Sequence, residues 1–175
     1  KLIVVDPRLT WLAAKADLWL QIRPGTDSML ALSMGKYIME NGLYDHEFVE
    51  KWCYGFEEYE KACEPYNLDW ASEVTWLDKE DIIAAAKYMS EKPTAVQWGL
   101  AIDMNLQCVT ASQALCNLWC ITGQIDIPGG MITVHDPYNT EVWLPPDPRE
   151  VFTPEQEKER IGSNYEMITN SGMVQ

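Results

Sequence analysis

The sequence predicts an α/β fold in which a mainly parallel sheet is flanked by helices. Three observations predict it. Residues 1–5 (KLIVV) are apolar after the first lysine and stop at Asp6-Pro7. Residues 18–22 form a second apolar run, stopped by Arg23-Pro24-Gly25. Both runs are too short for helices, and the first, unbroken after Lys1, has the character of a strand covered on both faces. Helix-length amphipathic segments alternate with such runs, and that alternation is the pattern of a parallel sheet joined by helical crossovers.

In chain order, Thr10 is placed to cap a short helix running to Lys15. Thr26 is expected to cap the helix after the second strand, in which Leu30, Met34, Tyr37 and Ile38 share one face and which Asn41-Gly42 ends. Residues 45–74 are acidic and aromatic; FEEYEKACE is their clearest helical piece, with a solvated acidic face. Asp78 opens a helix through Ser90, with Ile82, Ile83 and Ala86 directed inward, and Lys92-Pro93 stops it. Residues 94–98 read as a third strand ending at Gly99. Residues 109–121 form a strongly apolar helix closed by Thr122-Gly123.

Beyond Ile125 the periodicity fails. IDIPGG is a turn, residues 131–134 read as a short strand, and prolines at 137, 145, 146, 148 and 154 interrupt the remainder of the chain. TPEQEKERIG is expected to form one polar helix. The expected organisation is a Rossmann-like layered domain over residues 1–134 and an irregular, proline-rich extension over residues 135–175. The chain starts inside a strand, with no initiator Met or signal-like segment before it, so it is expected to be a piece of a longer polypeptide.

Of the 175 residues, 13 are Lys or Arg and 27 are Asp or Glu, a formal net charge of -14. Such a surface repels nucleic-acid phosphates and anionic lipid, and any bound phosphate must be held by local donors. No apolar run approaches the roughly 20 residues of a membrane span, so no transmembrane segment is expected. The 5 cysteines include no Cys-x-x-Cys pair. Cys116 and Cys120 share a helix face in LCNLWCI and read as packing residues, and His46 and His135 lack zinc-type spacing. These residues carry no iron–sulfur or zinc motif.

Ligands of doubly wound folds lie past the carboxyl ends of the strands, where Asp6, Arg23 and Gly99 fall. Asp6 is suited to accept hydrogen bonds from a ribose and Arg8 to meet phosphate. Gly25 lets the backbone approach a ligand closely, and the next helix directs free N–H groups at an anion. Asp27 has a more selective chemistry: a carboxylate accepts guanine N1–H and N2–H₂ together, a paired-donor edge that adenine lacks. Each residue also has a plainer role, since Asp-Pro initiates turns and an acid in a first helical turn suits the helix dipole. No G-x-G-x-x-G, G-x-S-x-G, H-E-x-x-H or phosphate loop occurs. The residues alone lead to a nucleotide-sized ligand on an α/β sheet, with no complete catalytic set.

Four stretches occur in order: VVDPRLTWLAAKADLWLQIRPGTDSMLAL, NGLYDHEFVEKWCYGFEEY, VQWGLAIDMN and ALCNLWCITGQIDIPGG. Together they resemble the central part of a catalytic subunit of the molybdopterin oxidoreductases, the dimethyl sulfoxide reductase family, over residues 1–134. Residues 135–175 carry no such resemblance. The resemblance implies an α/β domain that holds one of two molybdopterin guanine dinucleotides. It implies that Asp6, Pro7 and Arg8, with Arg23, Pro24, Gly25, Thr26 and Asp27, contact the guanosine end. It also implies that the loop from Trp98 through Gly99 to Asp103 lies toward the pterin or phosphates. Thr122-Gly123-Gln124 departs from the family's Thr-Gly-Asn helix end, and Met104-Asn105-Leu106-Gln107 departs from its Gln- or Gly-rich loop. A 4Fe-4S cluster and the molybdenum ligand are expected upstream. The implied partners are the remaining domains of the parent subunit and an iron–sulfur electron-transfer subunit. On that reading the segment alone does not turn over. The contrasting reading is a structural or interaction module that keeps the fold and binds no cofactor, with the aromatic residues 59–76 as contact surface.

Overall fold

The computed structural model describes residues 1–132 and 152–159. The chain divides into two units, Lys1–Thr133 and Val134–Gln175. In the first, β1 (Ile3–Val5) pairs in parallel with β2 (Leu18–Leu20), Ile3 opposite Leu18 and Val5 opposite Leu20. A 3-10 turn (Ala13–Lys15) makes the crossover, with Thr10 Oγ1 accepting the Ala13 N–H at 3.1 Å as an N-cap does. Seven helices follow: α1 (Asp27–Glu40), α2 (His46–Trp52), α3 (Phe56–Cys63), α4 (Leu68–Thr75), α5 (Lys79–Ser90), α6 (Leu100–Asp103) and α7 (Cys108–Ile121).

The architecture is therefore mainly helical around a small two-stranded parallel sheet, and the layered, mainly parallel sheet expected from the sequence is not what the described residues form. Residues 94–98 are extended without joining a ladder. Two of their amides are committed to side chains: Thr94 N–H donates to Gln124 Oε1 at 2.9 Å and Val96 N–H to Met131 Sδ at 3.2 Å. An apolar run becomes a strand only where a neighbour offers an edge, and none is offered here. Met131 makes one isolated parallel bridge with Ile125, and the strand expected over residues 131–134 lies partly outside the described residues. Nor are the two strands covered on both faces, since Val4 and Leu20 are buried while Val5 is 44% exposed.

Helix α1 is the hub, packed against α7, α5, α4 and α3. Leu30, Met34 and Ile38 of its predicted stripe are buried with Ala31 and Met39 between the other helices, and Tyr37 lies at the margin. From α5 the core receives Ile82, Ala85, Ala86 and Met89, while Ile83 is only half-buried. Side chains cap α2 and α4: Asp45 Oδ1 accepts Phe48 N–H and Asn67 Oδ1 accepts Trp70 N–H, each at 2.9 Å. Gln124 is fully buried. Its Nε2 donates to the Met89 and Glu91 carbonyls at 3.2 Å each, and its Oε1 takes the Thr94 amide, so one side chain ties three segments. Gly130 lies so close to this junction that a Cβ there would fall 2.3 Å from the Gln124 carbonyl oxygen.

In the second unit, helix α8 (Pro154–Glu159) is the start of the predicted polar helix. It opens on a reciprocal capping box: Thr153 N–H donates to Gln156 Oε1 at 2.9 Å, and Gln156 N–H to Thr153 Oγ1 at 3.3 Å. The other expectations for the proline-rich extension, His135 included, fall outside the described residues.

Candidate functional site

Parallel pairing in register brings the two strand-end turns out side by side. Asp6 N–H continues the ladder to the Leu20 carbonyl at 3.1 Å. Two side chains from β2 and its extension then fasten the first turn: Trp19 Nε1 donates to the Asp6 carbonyl at 2.9 Å and Gln21 Nε2 to the Pro7 carbonyl at 3.3 Å. Asp6 Oδ1 accepts Arg8 N–H at 2.8 Å, an Asx turn, so the Arg8 side chain leaves an exposed and locally fixed backbone.

The second turn begins where Arg23 N–H donates to the Thr75 carbonyl at 2.9 Å, which pins it to the carboxyl end of α4. The Arg23 guanidinium lies over the Trp76 ring, 5.1 Å from its centroid. Gly25 has φ +81, a conformation glycine adopts without strain, and a Cβ there would meet nothing within 4 Å. The turn thus borders open space. Thr26 does not cap α1 as expected. Its hydroxyl donates to the Arg23 carbonyl at 2.7 Å, which closes the turn and leaves the amino end of α1 without a side-chain cap.

Asp27 is the first residue of α1 and is half-buried. Burial raises its carboxyl pKa, opposed by a hydrogen bond from its own backbone. The ion pairs among the described residues are Lys36–Glu40, Lys79–Asp69 and Lys92–Asp45, so Asp27 has no cationic partner among them. A desolvated carboxylate beside an open turn has acceptor capacity to offer a ligand.

Gly99 precedes α6 and Asp103 is its last residue, and both are exposed. They reach the turns only indirectly. Asn105 Nδ2 donates to the Ala101 and Ile102 carbonyls at 3.1 and 3.2 Å, and its Oδ1 accepts Gln107 N–H at 2.7 Å. Gln107 Oε1 then accepts the Ser28 hydroxyl at 2.7 Å, which sets the loop against the amino end of α1. Ser28, Gln107 and Trp76 belong to this region and were missed from the sequence. A hydrogen bond between residues 28 and 107 has no local signature, and nothing around Trp76 marks it.

The described residues contain no group of three or more His, Cys, Asp or Glu able to hold a metal ion, and no helix long and apolar enough to cross a membrane. Cys116 and Cys120 are half-buried, and burial pushes both thiols up, away from the thiolate form that binds metals.

Comparison with known proteins places these features in a family. Residues 1–160 match the molybdopterin oxidoreductase family model. The chain is 37% identical to acetylene hydratase of Syntrophotalea acetylenica over 176 residues, 99% of this chain and 24% of that protein. It is 34% identical to formate dehydrogenase H of Escherichia coli over 129 residues, 73% of this chain and 18% of that one. The solved structure of acetylene hydratase from Pelobacter acetylenicus superimposes with a TM-score of 0.70 at 43% identity, covering 71% of this chain and 17% of that chain. The chain thus spans a quarter or less of the length of these relatives. With a family model matched across most of its residues, and a fold shared with one of these solved relatives, the chain belongs to the molybdopterin oxidoreductases.

Proposed function

We propose that this chain is the segment of a molybdenum-dependent oxidoreductase that grips the guanosine end of a molybdopterin guanine dinucleotide. The family implies a molybdenum–pterin cofactor. The residues present fit its nucleotide end: a half-buried carboxylate at Asp27 with no cationic partner among the described residues, a turn at Gly25 open to space, an uncapped helix end and two exposed arginines, Arg8 and Arg23. The observation that carries the reading is Asp27, because a carboxylate desolvated without a cation is costly unless a donor-rich ligand meets it.

In this reading Asp27 accepts guanine N1–H and N2–H₂, Asp6 holds the ribose, and Arg8 and Arg23 meet phosphate. Pro24 and Thr26 shape the turn, and Gly99 and Asp103 face the cofactor farther along. When bound, the cofactor supplies the two-electron chemistry at molybdenum, and this chain supplies binding and orientation. The 4Fe-4S cluster and an electron-transfer subunit remain part of the proposal for the whole protein, in which this segment alone does not turn over.

One observation favours a second reading of the parent's reaction. The match to acetylene hydratase covers 99% of this chain, and that relative is named for a hydration. Assay of the loaded protein for dye reduction and for hydration separates the two.

Calorimetry with GDP and ADP tests the nucleotide reading on the cofactor-free polypeptide that carries this chain. The expected result is a preference for GDP that Asp27→Ala removes. Equal affinity for the two nucleotides in the wild type overturns it.

A further inference from the structure

Trp76 stands at φ +65, directly after α4, where it ends the helix in the left-handed conformation. The turn is needed: it lets Leu77, 5% exposed, enter the core while Ser72 Oγ donates to the Leu77 carbonyl at 2.6 Å. A glycine makes such a turn without strain, and a bulky side chain there is a conformational outlier. Core packing does not account for the choice, because the Trp76 side chain is 69% exposed. The indole instead touches the Arg23 guanidinium, in the same turn whose amide is pinned to Thr75.

We propose that Trp76 is a positioning residue of the nucleotide site, holding the Arg23 guanidinium by cation–π stacking so that its N–H donors meet the diphosphate of the bound nucleotide. The inference rests on the proposed nucleotide site and adds what orients Arg23 toward the phosphates. In a chain of net charge -14, an anionic group needs a cation placed at the site rather than one in the general field. An arginine free in solvent loses side-chain entropy when it binds; one already resting on an aromatic face loses less. The indole leaves the edge of the guanidinium, where its donors lie, available to phosphate oxygens.

The test uses the cofactor-free polypeptide that carries this chain, with GDP and guanosine as probes. Trp76→Gly relieves the backbone strain, so the unfolding midpoint is expected to hold or rise, which separates a binding loss from a folding loss. GDP affinity is expected to fall about fivefold, the scale of one exposed cation–π contact, while guanosine affinity stays unchanged. Trp76→Phe, which keeps an aromatic face, is expected to recover most of the GDP affinity. Unchanged GDP binding in Trp76→Gly overturns the proposal, as does an equal loss for guanosine. A wild type that does not prefer GDP to ADP overturns the underlying nucleotide reading, and this inference falls with it. A normal preference with an indifferent Trp76→Gly overturns this inference alone.

Discussion

The Ser28 hydroxyl donates to Gln107 Oε1 at 2.7 Å, joining the amino end of α1 to the start of α7 across 79 residues of sequence. Ser28 is 2% exposed, so the bond is shielded on one side, and it is the contact that sets residues 99–107 beside the Arg23 turn. Ser28→Ala is expected to cost about 1 kcal/mol, the usual net worth of such a bond. Amide hydrogen exchange is the sharper measurement. Faster exchange confined to residues 100–107 is expected, and an unchanged loop would show that something else holds it.

Asp27 makes stability and binding pull in opposite directions. Burial raises its carboxyl pKa, so folding favours the protonated form. Its contribution is therefore fully present below the ordinary carboxylate value of 3.8 and is lost as pH rises through the higher folded value. Asp27→Asn is expected to match the wild type in urea unfolding near pH 3 and to exceed it at pH 7. The same variant is expected to lose the preference for GDP, because an amide has one acceptor where the carboxylate has two. A destabilised Asp27→Asn at pH 7 would contradict the assigned burial effect.

Asp45 has the opposite sign. Lys92 beside it, and then the Phe48 amide, hold its carboxyl below the ordinary range. That contribution is present above the ordinary value and lost as pH falls through the lowered one. Asp45→Asn keeps an acceptor for the α2 cap and removes only the charge. The variant is expected to show a shallower fall in urea midpoint between pH 5 and pH 2 than the wild type, checked by circular dichroism at each pH.

Gln124 has a larger stake. Replacing it with Leu strands the buried Met89 carbonyl and the half-buried Thr94 amide, while the Glu91 carbonyl keeps the Thr94 hydroxyl as its donor. A loss of about 2 kcal/mol is expected, since a buried unsatisfied group costs about 1–3 kcal/mol. Gln124→Asn, one methylene shorter, is expected to fall between. Chemical denaturation of both variants checks the order.

Helices α1, α3, α5 and α7 were legible in the sequence because their signals are local, whereas α2, α4 and α6 were not read from it. The stripe in α1 and the stop at Asn41-Gly42 need no partner to be read. The third strand was misread because a strand is a relation, and Thr94 and Val96 spend their amides on Gln124 and Met131. Thr26 looked like a cap because a hydroxyl before a helix accepts or donates equally well, and only the nearby Arg23 carbonyl decides which. At the candidate site, Asp6, Arg23 and Asp27 could be chosen by chemistry, whereas Ser28, Gln107 and Trp76 are set by contacts between distant segments.

The segment from Thr94 to Gln107 is moored at both ends, by Gln124 at the first and by Ser28 at the last. A span tethered this way has already lost most of the configurational freedom that a free loop surrenders on closing. Residues 97–106 therefore behave as a taut bridge whose landings are set by the core. A substitution beneath either landing would be felt along the whole deck, including at Gly99 and Asp103, which touch neither anchor.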